Sequence, residues 1–173
     1  AQYLLNLAGI PYTIATNVQE AIAKANMIVC ASPFKQSTLT VSEIQLLQQW
    51  IEQGGVFVAP AITNTNNHLC ALFGMESVMY SKERKTFTWR DEYLAEKELE
   101  YFNEVEERTV SLGKARNTTA ESIKTYGYQP TTAEAMAYFD DTNMAAVLRN
   151  RIGKGMIYTF GILWRDVVQR SQL

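Results

Sequence analysis

Two spacings of apolar residues alternate along the first half of the chain. Residues 1–9, AQYLLNLAG, carry helical spacing and close on Gly9. PYTIAT, 11–16, reads as a short strand. Asn17-Val18-Gln19-Glu20 has the form of a capping box, in which side chains satisfy the free amides at a helix start. It opens the helix QEAIAKA. MIVCAS, 27–32, is a continuous apolar run, the kind of strand buried on both faces of a parallel sheet. Thr40-Val41-Ser42-Glu43 is a second capping box. The helix it opens places Val41, Ile44, Leu47 and Ile51 on one face, with Trp50 beside them. Gly54 and Gly55 stop that helix, and VFVAPAI, 56–62, is a second buried strand.

This helix–strand rhythm with short connections predicts a mainly parallel sheet covered by helices. A strand ahead of residue 1 would complete the pattern. NTNNHLCALFG then reads as a polar turn and a short helix ending at Gly74. Residues 76–108 mix acids and bases densely, which predicts a solvated insertion. TFTW and ERTVSLG within or beside it have strand character. The last third is β-rich. SIKTYGYQ, EAMAYFD, MAAVLRNRI and GMIYTFGI are four strands in series. Turn chemistry at Asp140-Asp141-Thr142-Asn143 and Gly153-Lys154-Gly155 predicts hairpins between them. LWRDVVQRSQL, 163–173, reads as a closing amphipathic helix.

Composition narrows the class. With 173 residues, 47% hydrophobic and 20% charged, the chain suits one globular domain over 1–173. A net charge of −2 without a basic stripe argues against nucleic acid. No apolar run reaches the roughly 18 residues of a membrane helix. The chain begins Ala-Gln-Tyr, which fits a processed or excised piece of a longer protein. Cys30 and Cys70 sit on different elements and read as core residues, not as a disulfide framework.

Candidate chemistry concentrates where strands end, since ligands and nucleophiles of α/β proteins sit at strand carboxyl ends. The turn after VFV reads Ala59-Pro60-Ala61-Ile62-Thr63 and offers no nucleophile except threonine. Beyond it, 63–67 is a dense polar run, and the 32–37 loop follows the neighbouring strand. Ser32, Lys35, Thr63, Asn64, Asn66 and His68 are the candidate ligand-binding residues, suited to a sugar or another polar molecule. The same residues also serve ordinary loop and helix-start roles. His68 is the chain's sole histidine and stands two residues from Cys70. A Cys-His hydrolase built on them is disfavoured, because residues two apart on a helix diverge. One histidine makes a zinc site improbable, and no cofactor is expected. The acidic pairs Asp91-Glu92 and Asp140-Asp141 suit a solvated face and a turn. Gly153-Lys154-Gly155 lacks the spacing of a phosphate loop. Trp164 and Arg165 either pack the last helix or anchor a partner.

Two longer runs carry a resemblance. AYFDDTNMAAVLRNRIGKGMIYTFGI resembles the end of class I glutamine amidotransferase-like domains of the β-galactosidase-trimerisation type. SEIQLLQQWIEQGGVFVAP and HLCALFGM resemble their helix, Gly-Gly, strand and short-helix units. The likeness covers most of 27–75 and 130–162. It implies a flavodoxin-like three-layer α/β sandwich with a mainly parallel sheet and a hairpin-rich C-terminal part. It also implies attachment to, or expression beside, carbohydrate-active enzymes, with a role in assembly or oligomerisation. In active members a cysteine occupies the turn after the strand matching Val56–Ala59, paired with a histidine and an acid near the C-terminus. Here that position falls near Ala61, and no histidine follows His68. A thiol nucleophile needs such a base. The expected role is therefore a non-catalytic accessory domain whose partner is a carbohydrate-active enzyme domain or a second copy. The alternative is a domain that binds a sugar or another polar small ligand at the strand carboxyl ends, and a second alternative is a degenerate Cys-His hydrolase.

Overall fold

A computed structural model describes residues 1–35, 38–63, 67–93, 109–112, 122–141 and 143–164. The elements in order are α1 (Gln2–Leu7), α2 (Val18–Lys24), β1 (Met27–Val29), α3 (Val41–Glu52), β2 (Val56–Pro60), α4 (Asn67–Phe73), β3 (Met75–Arg84), β4 (Thr86–Trp89), a 3-10 turn at Asp91–Tyr93, β5 (Thr109–Ser111), β6 (Ile123–Pro130), β7 (Glu134–Tyr138), β8 (Ala145–Ile152) and β9 (Gly155–Phe160).

The capping boxes act much as their sequences suggest. Thr40 Oγ1 accepts the Glu43 amide, and the Glu43 carboxylate accepts the Thr40 amide at 2.8 Å. Asn17 caps α2 by accepting the Glu20 amide at 2.8 Å. Glu20 reaches back one residue further than expected, to the Thr16 amide. α3 stops because Gly54 adopts φ +125°, which an L side chain resists. A Cβ on Gly55 would lie 2.4 Å from the Trp50 ring, so the chain folds back tightly there.

The sheet is mixed, which corrects the expectation of a mainly parallel one. Its main path is β1-β2-β9-β8-β7-β4-β5, with β6 joining β8 and β3 joining β6. Among the described strands, only β1–β2 and β2–β9 pair parallel. The six other pairings are antiparallel. The physical reason is connection length. The helical crossover through α3 permits parallel neighbours, whereas the two-residue Gly153-Lys154 turn forces β8 and β9 antiparallel. All four C-terminal strands form, with β7–β8 and β8–β9 as hairpins. The charged stretch contributes β3 and β4 to the sheet, and β5 follows it. Its residues 94–108 lie outside those described.

Three further expectations change. PYTIAT is not a strand, for no described strand lies beside it, and Ile14 is 68% exposed. MIVCAS is not buried on both faces. It yields the three-residue β1 at the sheet edge, with Met27 exposed. Val41, the first residue of α3, leaves the buried face at 74% exposure, whereas Ile44, Leu47 and Ile51 stay buried.

One apolar cluster packs α3 and α4 onto the sheet. Ile44, Leu47 and Ile51 meet Phe57, Leu69, Phe73, Leu148 and Ile157. Phe34, Phe57 and Phe73 form an aromatic centre there, with Phe34 edge-on to both partners at 5.8 and 5.5 Å. A second cluster around Phe87, Phe139, Val147 and Ile162 fills the β4–β7–β8 side. Arg84 is buried beside it. Its guanidinium lies over the Phe139 ring and bonds Asp141 and Thr125.

Candidate functional site

The parallel part of the sheet sets the site, because β1, β2 and β9 end on one side and their loops meet there. At the end of β2 the chain makes a sharp turn through Ala61, whose φ is +45°. An alanine in this left-handed region is strained, and such strain concentrates where a fold once or still positions a reactive side chain. The Ala61 amide donates to the Phe160 carbonyl at 2.6 Å, which locks the turn onto β9.

The turn is sealed around Ala61, whose side chain is a methyl group. Ala61 and Ile62 are fully buried. Tyr128 of β6 donates its phenol to the Ile62 carbonyl at 3.2 Å and is itself fully buried. Burial pushes that phenol far above its ordinary pKa, so it stays protonated and acts as a fixed donor. Phe34 donates its amide to the Pro60 carbonyl and accepts the Thr63 amide, closing the other side. Sequence reading missed Tyr128 and Phe34. The aromatic-rich TYGYQ run was the available signal for the first.

The structure brings some candidate residues together. Lys35 and Thr63 form a parallel β-bridge, so the two loops do lie side by side. Ser32 and Lys35 are exposed, and Thr63 is half-buried. His68 is exposed on α4, whereas Cys70 is buried at 3% in the core. The two side chains therefore leave the helix in different directions and do not form a dyad. Cys30 is the thiol nearest the strand ends. Burial raises its pKa, and its Sγ donates to the Ser32 carbonyl at 3.2 Å, so it is held as a neutral thiol. Trp164 packs its ring on Phe160 and donates Nε1–H to the Cys30 carbonyl at 2.7 Å. It thus ties the end of β9 to the end of β1. Asn64, Asn66 and Arg165 lie outside the described residues, as does the expected closing helix beyond Trp164.

A cavity of about 700 Å³ opens beside β1, lined by α1, α2, segment 10–16 and β1, with Phe34, Leu47 and Phe57 at its inner wall. Ser32, Lys35, Thr63 and His68 do not line it. Among the described residues, no group of three or more His, Cys, Asp or Glu is placed to hold a metal ion. No described helix is long and apolar enough to cross a membrane.

No family model matches the sequence, and no curated protein matches it either. Solved structures do match in fold. An exo-β-1,4-mannosidase, Op5Man5 from Opitutaceae bacterium strain TAV5, aligns with a TM-score of 0.57 at 20% identity, over 87% of this chain and 22% of that one. Gan42B, a GH42 β-galactosidase of G. stearothermophilus, aligns with a TM-score of 0.57 at 16% identity, over 83% of this chain and 20% of that one. A ThuA-like protein from Bacteroides uniformis gives 0.60 at 13% identity, over 94% of this chain and 71% of that one. The chain spans about a fifth of the length of the two glycosidases. At these identities the likeness carries the fold alone, a mixed α/β architecture that also forms part of the two glycosidases.

Proposed function

We propose that this chain is a non-catalytic, amidotransferase-like accessory domain of a carbohydrate-active protein, related to the trimerisation domains of β-galactosidases and acting in assembly. The flavodoxin-like part of the fold is then the β1-β2-β9 ridge with α3 and α4 against it. The observation that carries the reading is Ala61. The strained turn is present at the end of β2, but the side chain it carries at Ala61 is a buried methyl group. Function resides in sites carried on a fold, so a turn without a reactive side chain at Ala61 supports a role exercised through surfaces. The match to about a fifth of two glycosidases supports the same setting.

Two measurements test it. Purified protein should release no ammonia from glutamine and cleave no activated ester. Turnover that disappears in Cys70→Ala would sink the non-catalytic reading. For assembly, the polypeptide of the complete reading frame is compared by light scattering with a version lacking residues 1–173. The shortened form should have a smaller oligomer. An unchanged oligomer would remove the assembly role.

A further inference from the structure

The sheet ends abruptly at β1. Among the described strands, β1 pairs with β2 alone. The Cys30 amide donates to Val58, and the Asn26 carbonyl accepts from Val56. Alternate residues of a strand turn their backbone groups to opposite edges. The N–H and C=O groups of Met27 and Val29 therefore point away from β2, towards the 700 Å³ cavity that both residues line.

Segment 10–16 lines the same cavity. Its apolar residues stand at alternate positions, and Ile10, Tyr12 and Ile14 are 51%, 38% and 68% exposed; Met27 is 55% exposed. Six large apolar side chains are exposed among the described residues, and four of them line this one cavity. Such concentration marks a surface that something covers. β1 also lacks the usual protections of an edge, having no proline, charge or bulge within Met27–Val29. A small apolar ligand could cover the side chains but would leave the backbone groups of Met27 and Val29 unsatisfied. A polypeptide strand satisfies both.

We propose that this cavity is a strand slot. It receives one extended apolar segment of the same polypeptide, joined to Ala1 and parallel to β1, which pairs with Met27 and Val29 on one side and residues 10–16 on the other. The direction follows from the helical connections. Ala1 and Gln2 border the cavity. α1 leads on to segment 10–16, and α2 leads from that segment to β1. Helical connections are the form of crossover that joins parallel neighbours. A strand parallel to β1 passes into α1 as one strand–helix unit. Segment 10–16 then becomes a sheet strand, as its alternation implies. The inference does not depend on the amidotransferase reading.

The test compares residues 1–173 with the polypeptide of the complete reading frame, using amide hydrogen exchange. In the longer protein, exchange at Ile14, Met27 and Val29 should slow by about tenfold or more, independent of protein concentration. Exchange in the β8–β9 hairpin should be equal in both and serves as the folding control. In the longer protein, Ile14→Asp should return Met27 and Val29 towards fast exchange. Equal exchange in the two proteins would overturn the proposal, as would a reading frame with no residues to place ahead of Ala1. Slowing that appears in residues 1–173 as concentration rises would also overturn it, because the occupant would then be a second copy.

Discussion

The Ala61 amide and the Phe160 carbonyl meet at 2.6 Å, and through that bond the turn after β2 is fixed to the end of β9. The bond holds Ala61 at φ +45° in a space with no room around its methyl group. A β-branched residue suits neither the dihedral nor the volume. Ala61→Val should cost about 2–3 kcal/mol in urea unfolding. Ala61→Gly relieves the strain but loosens the unfolded chain, so it should stay within about 1 kcal/mol of the parent. Equal losses for both variants would mean that the methyl's packing, not the backbone, matters at this turn.

Thr159 is buried on β9, in register with Ala59 and Leu148, and its hydroxyl has no hydrogen-bond partner among the described residues. An unmade bond in the core costs the hydroxyl its hydration. Thr159→Val should raise stability by about 1 kcal/mol. A midpoint of urea unfolding that falls would contradict this.

Asp141 receives hydrogen bonds from Lys82 and Arg84. Desolvation on its own raises the Asp141 pKa, but the bonds and charges of Lys82 and Arg84 outweigh it and bring the carboxyl to about 2, below the ordinary 3.8. A depressed folded-state pKa gives stability that is complete above the unfolded value and is lost as pH falls through the folded one. The gap in stability between the parent and Asp141→Asn should therefore be constant above about pH 5. It should shrink as the pH falls towards 2. At neutral pH the variant should lose about 2 kcal/mol, because buried Arg84 gives up a charged partner while keeping Thr125 and the Phe139 face. Urea titrations at several pH values follow the gap directly.

Gly155 opens β9 where the hairpin passes the end of α3. A Cβ there would lie 2.0 Å from the Ile51 carbonyl oxygen and 2.4 Å from that of Gly55. Both are backbone atoms and cannot swing aside. Gly155→Ala should cost at least about 3 kcal/mol or prevent folding, measurable as loss of soluble protein or of the thermal transition. Gly9→Ala makes a control for positive φ alone, since its Cβ would meet nothing within 4 Å.

Local signals in the sequence were dependable where one short stretch decided the outcome. Thr40 with Glu43, Gly54 with Gly55, and the Gly153-Lys154 turn each set their own geometry, so α3, its stop and the β8–β9 hairpin were legible. Elements that depend on distant partners were not. PYTIAT has strand alternation, yet a strand exists only beside another strand. β3 looked like solvated surface because its charges dominate the sequence. In the structure it pairs along β6, and Arg84 turns inward to Asp141. At the candidate site, the absent nucleophile could be read from Ala61. Its burial under Tyr128 could not, because the two lie 67 positions apart and meet only through the sheet.

The β2–β9 register has a kinetic consequence. Val56 pairs with Met156, so the parallel centre of the sheet joins residues one hundred positions apart. Contacts of such long range slow folding, since the loop entropy is lost before the pairing is gained. On the ribosome, β2 emerges about one hundred residues before β9 and must wait for them before this neighbour arrives. Its buried face, Phe57 and Ala59, is open to wrong partners throughout that interval. Aggregation during synthesis should therefore depend on how fast the last third of the chain is delivered.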